Sequence, residues 1–125
     1  MKVEVSIGEL VDKVSILSIK LKKIKNRDKL KNIQNEYDLL LIPMEEVGLG
    51  VRSDEFKRLE AINLKLWDIE DKIRSKEVEK SFDDEFVKFA RSVYFTNDDR
   101  AAVKKEINLK YGSDIIEEKE YVEYK

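Results

Sequence analysis

The chain has 125 residues, and Lys+Arg 25 against Asp+Glu 27 leave a net charge of −2, with no histidine and no cysteine. That balance argues against a whole-domain nucleic-acid binder, which needs a basic surface. The missing residue types exclude disulfides, thiolate or imidazole metal ligands and His-assisted nucleophiles, so any chemistry must run on carboxylates, Lys, Arg, Tyr and hydroxyls.

Four Gly and one Pro among 125 residues predict long helices with few loops, within a single domain over residues 1–125. Residues 2–6 alternate, Val3, Val5 and Ile7 against Lys2, Glu4 and Ser6, which predicts a short strand. Ser6 then caps a helix over about 7–25, with the seam Ile7, Leu10, Val14, Leu17, Leu21 and Ile24. Asp28 opens a second helix over about 28–42, with Leu30, Ile33, Tyr37 and Leu40 on one face and Pro43 and Gly48 ending it. A third, over about 54–80, carries Leu59, Ile62, Leu66, Ile69 and Ile73. The fourth, over about 82–95, turns Phe82, Phe86, Phe89 and Val93 inward. Thr96-Asn97-Asp98-Asp99 reads as a break before a fifth helix over about 98–111, which Gly112 closes. The tail, 114–125, has no helical face and is expected to pair with the first strand. The fold class is therefore all-α, an antiparallel bundle of four to five helices with a two-stranded β-ribbon joining the termini.

Two features exceed a plain bundle. Ile16 and Ile19 sit opposite the first seam, and Val87, Tyr94 and Phe95 turn away from the Phe stripe. Large apolar groups on two flanks suggest a self-association surface, since exposing each costs roughly 1.5–3 kcal/mol. Second, Asn63, Trp67, Glu70 and Arg74 line up beside the third seam, with Glu70 and Arg74 in the favourable i,i+4 order. Arg100, with Lys104 adjacent, faces the core of the fifth helix and needs a counter-ion, Glu70 or Glu9. These side chains form either a closed inter-helix salt-bridge network or a small-anion site beside Trp67.

The runs from Ser6 through GELVDK to Ile24, from Asn63 through LWDIED, and from Arg91 through NDDRAAVKKEIN resemble an uncharacterised family of short helical domains found in bacteria and phages. The likeness spans most of the chain except the region around Gly48. Ser18 stands where the resemblance leads one to expect an acidic residue. It implies a helical fold and supplies no activity, substrate or catalytic residue.

The residues thus favour a non-enzymatic domain that forms a homo-oligomer or docks a protein partner. No catalytic residue or cofactor is expected, and the expected location is the cytoplasm. A second reading is a magnesium-dependent, all-helical nucleotide phosphohydrolase using Glu9, Asp12, Asp68 and Asp71, whose i,i+3 spacing presents oxygens to a hard cation. In that reading Asp12, Asp68 and Asp71 project away from their seams. A third is a polyanion or nucleic-acid binder through Lys20, Lys22, Lys23, Lys25, Arg27, Lys29 and Lys31; no aromatic interleaves them, and the acidic tail is expected to offset them. No stretch is long and apolar enough for a membrane span, and the first residues lack the apolar core of a signal peptide.

Overall fold

The computed structural model describes residues 1–124 as four helices: α1 (Ile7–Lys23), α2 (Arg27–Glu46), α3 (Asp54–Val78) and α4 (Asp84–Lys110). Each start is capped by a short polar side chain that accepts from a backbone N–H three residues on: Ser6, Asn26, Ser53 and Asp83. α1 is the central element. It packs against each of the other three, while α3 and α4 form an antiparallel hairpin and α2 leans on α1. The core gathers Val11 and Val14 of α1, Met44, Leu49, Phe56 and Leu59, and Val103 and Ile107 of α4. Tyr37 and Leu40 pack against it from the face of α2 that the sequence marked.

α1 and α4 approach closely at Gly8. A Cβ there would stand 2.5 Å from the Lys104 carbonyl oxygen, and the Gly8 N–H donates to Asn108 Oδ1 at 2.6 Å. Arg58 ties α3 to α4 through two hydrogen bonds to Glu106, at 2.8 and 3.0 Å.

Three expectations are corrected. First, Thr96-Asn97-Asp98-Asp99 does not break the chain; the fourth and fifth predicted helices are one, α4, of 27 residues. Asn and Asp in a helix interior each lose only tenths of a kcal/mol, whereas no Gly or Pro interrupts the run and Thr96 is buried. Second, α2 continues through Pro43 to Glu46. The ring removes one N–H near the helix end, and the buried Met44 and Leu49 hold the last turn in place.

Third, the described residues contain no strand, so the β-ribbon is absent. Val3 and Val5 are exposed, and the tail instead runs back along α4 through side chains. The Ile7 N–H donates to Ser113 Oγ at 3.1 Å, Ser6 donates to Glu117, Lys105 pairs with Glu118, and the Tyr124 hydroxyl donates to Asp98. Lys125, the last residue of the predicted tail, lies outside the described residues.

Candidate functional site

α1 lies between α3 and α4, so both of its flanks are covered. Gly8, Asp12, Ser15 and Ile19, spaced four, three and four apart, therefore all lie on a face turned to protein and all are buried. Asp12, which the sequence reading turned outward, is 1% exposed. It is the centre of a polar knot. Arg100 of α4 embraces it with two hydrogen bonds, Nε to Oδ1 at 2.9 Å and Nη2 to Oδ2. Asn63 of α3 donates through Nδ2 to Asp12 Oδ1 and to Ser15 Oγ, both at 2.8 Å, and Ser15 Oγ donates to the Asp12 carbonyl at 2.8 Å. A fork-to-fork pair of this kind is directional as well as charged. The Asp12 hydrogen bonds, joined by the charges of Asp12 and Glu9, hold the Arg100 guanidinium above its ordinary value despite burial.

The counter-ion of Arg100 is thus Asp12, and neither of the two expected. Glu9 is taken by Lys104, Nζ to Oε2 at 2.6 Å, and Glu70 by Arg74 at 3.4 Å, the i,i+4 pair the spacing predicted.

Beside the knot opens a cleft of about 430 Å³ between α1, α3 and α4. Ile16, Leu66, Trp67 and Val93 supply apolar wall. Asn63, Asn97 and Arg100 supply polar groups, and the exposed Glu70, Asp71 and Arg74 stand at the rim. Asn63, Trp67, Glu70 and Arg74 of α3 and Arg100 of α4 thus all line this one cleft. Lys104 does not join them. It lines a second hollow of about 270 Å³ under the tail, with Lys105, Asn108, Glu117 and Glu118, on the other side of Asn97 and Arg100, which line both.

The cleft is not built for an anion. Arg100 is neutralised by Asp12, Arg74 by Glu70, and Asp71 adds a carboxylate.

The residues expected to form an interface do not form one patch. Ile19 is buried within the chain, because α1 is covered on two sides. Ile16 is half-buried on the cleft wall. Tyr94 and Phe95 meet the Tyr124 ring, each at 5.2 Å between centroids, so the chain's own tail takes part of that facet. Val87 remains half exposed.

Nor do the four carboxylates of the phosphohydrolase reading meet. Asp12 and Glu9 are engaged as described, while Asp71 lines the cleft and Asp68 a different groove with Leu64 and Phe89. Among the described residues no group of three carboxylates is placed to hold a metal ion. The basic run flanks the α1–α2 turn, with Lys22 3.9 Å from Glu60, and the described ion pairs of the acidic tail are with Lys104 and Lys105.

Ser15, Asn97 and the structural role of Asp12 escaped the sequence reading. The available signal was the second flank of α1: once Gly8 and Ile19 face protein, Asp12 and Ser15 between them must do so too.

The chain belongs to a family of unknown function (DUF6165), whose match covers residues 1–124. No curated protein and no solved structure matches it. None of the described helices is long and apolar enough to cross a membrane.

Proposed function

We propose that this chain is a self-associating helical domain in which two copies join through the far half of the α3–α4 hairpin. One observation carries the reading. From Glu70 to Phe95 no residue is buried, while Val78 is 83% exposed, Phe82 55% and Val87 51%. Outward of Arg74 and Val93, which line a cleft with Ile16 of α1, the described ion pairs and ring contacts of this arm stay within the α3–α4 hairpin, and two helices alone cannot cover their apolar faces. Side-by-side docking of two arms yields four helices around a shared seam, each sheltered Val or Phe contributing roughly 1.5–3 kcal/mol.

Charge points to a second copy as the occupant. Asp84, Val87, Arg91 and Tyr94 follow at steps of three and four along one face of α4. An antiparallel pairing about a two-fold axis at Val87 sets each Asp84 against the partner's Arg91, an isologous and self-complementary contact.

Size-exclusion chromatography with light scattering tests this. The expected result is a dimer that Val87→Glu converts to a folded monomer. Asp84→Arg and Arg91→Glu each weaken it, and the double variant restores it. A wild-type monomer at the highest attainable concentration overturns the reading.

A further inference from the structure

The cleft beside the polar knot, independent of the arm contact, has the makings of a small-molecule site. We infer that it binds a purine base, presented as a neutral nucleoside, stacked against Trp67 and read by the Asn97 amide. Its volume of about 430 Å³ lies in the range of sites that enclose small ligands, and it combines apolar wall with a few polar groups.

The first observation is Asn63. This side chain is 6% exposed and lines the cleft, and both its hydrogen bonds among the described residues are donated by Nδ2, to Asp12 and Ser15. Those acceptors fix the amide's orientation and leave Oδ1 as its remaining polar atom, which accepts no hydrogen bond among the described residues. A fixed acceptor on a residue that lines a cleft is a ready partner for an exocyclic amine.

The second is Asn97. This residue lines the cleft and also the hollows under the tail; its amide makes no side-chain hydrogen bond among the described residues, and an Asn amide matches the adjacent donor and acceptor on the Hoogsteen edge of adenine. The third is Trp67, a half-buried indole on the wall, a shape on which any base stacks.

The electrostatics select the neutral form. The two cleft cations are matched by Asp12 and Glu70, and Asp71 leaves the rim acidic. A phosphate therefore gains no unpaired cation here and meets carboxylates instead.

Trp67 is the single Trp of the chain, so its emission reports directly on the cleft. Titration of the full chain with adenosine should quench it saturably, with calorimetry giving the same affinity, and adenosine monophosphate should bind more weakly. Asn97→Leu, checked for folding by circular dichroism, should weaken adenosine binding about tenfold or more. Three outcomes overturn the assignment: no saturable response to adenosine in either measurement, tighter binding of the monophosphate, or unchanged affinity in a folded Asn97→Leu protein. A monomeric wild type that still binds adenosine would remove the self-association reading and leave this one standing.

Discussion

Asp12 shows how one side chain's meaning depends on its surroundings. By residue type and spacing it is one more acid among 27, on a helix with an obvious apolar seam elsewhere. In the fold it is 1% exposed and accepts from two helices at once. A buried carboxylate without partners would be strongly unfavourable; here the guanidinium and amide offset its desolvation. Replacing Asp12 with Ala leaves Arg100 without its carboxylate and the Asn63 amide with Ser15 as its one remaining acceptor. Urea denaturation should show a loss of about 2–4 kcal/mol, below the fully buried case because 28% of the Arg100 side chain still reaches water. Adding Arg100→Met should recover part of that loss, since the orphaned charge is gone. A loss under about 1 kcal/mol for Asp12→Ala would show that the knot is not a structural centre. At this scale the sequence disclosed that Arg100 needed an acid but pointed to Glu70 or Glu9 rather than Asp12, because Asp12 sits on a flank of α1 that looks like a free surface.

At the scale of the element, starts and stops were largely legible, since caps are local chemistry. Ser6 caps α1 as its residue type suggested, whereas α2 is capped by Asn26 and holds the expected Asp28 within its first turn, and Gly48 and Gly112 end α2 and α4 with positive φ of 87° and 70°. α3 ends with the same pattern of backbone bonds. The Ser81 N–H donates to the Lys76 carbonyl at 2.9 Å and the Lys80 N–H to that of Glu77 at 3.1 Å. Here, however, the residue in the left-handed position is Lys80, at φ 56°, where a Cβ is unfavourable. Lys80→Gly should therefore raise stability by about 0.5–1 kcal/mol, read as a higher midpoint in urea, with only an exposed ion pair to Glu77 lost in exchange. An unchanged or lowered midpoint would mean that the turn carries no strain. The merging of two predicted helices into α4 was less legible. Polar residues at a helix interior and at a helix start look alike until one knows that Thr96 packs inward and that Asp98 accepts from Tyr124.

Across the whole molecule, the charge pairs set a pH profile whose direction follows from their shifts. Hydrogen bonds from Lys110, Lys76 and Arg58 hold the carboxyls of Glu55, Asp83 and Glu106 below their ordinary values. A carboxyl depressed on folding stabilises the fold above its unfolded value, 4.5 for Glu and 3.8 for Asp, and loses that contribution as pH falls through the folded value. Lys76 and Lys110 are raised above 10.5 by the same bonds, so their contribution is complete below that pH and fades as pH rises beyond it. The hydrogen bond to Asp98 lifts the Tyr124 hydroxyl to about 12, so the contribution of that bond is also lost only at the alkaline end. With no histidine between these limits, melting temperature should be flat from about pH 5 to about pH 9 and fall on either side. A step near neutrality in a circular-dichroism melting series would contradict this.

What the amino-acid order determined by itself is what neighbours along the chain decide. The apolar seams at steps of three and four, the polar caps and the Glu70–Arg74 pair all operate within a turn or two of helix, where geometry is fixed by 3.6 residues per turn. Removal of His and Cys chemistry needed no geometry at all. Only the tertiary structure decided which flanks are covered. Placing α1 between α3 and α4 buried Ile19 and made Asp12 a counter-ion, and the tail's preference for α4 side chains replaced the expected ribbon. Those outcomes rest on contacts between segments tens of residues apart, whose docking angle no local period encodes. The same docking leaves the arm uncovered and opens the cleft beside Trp67.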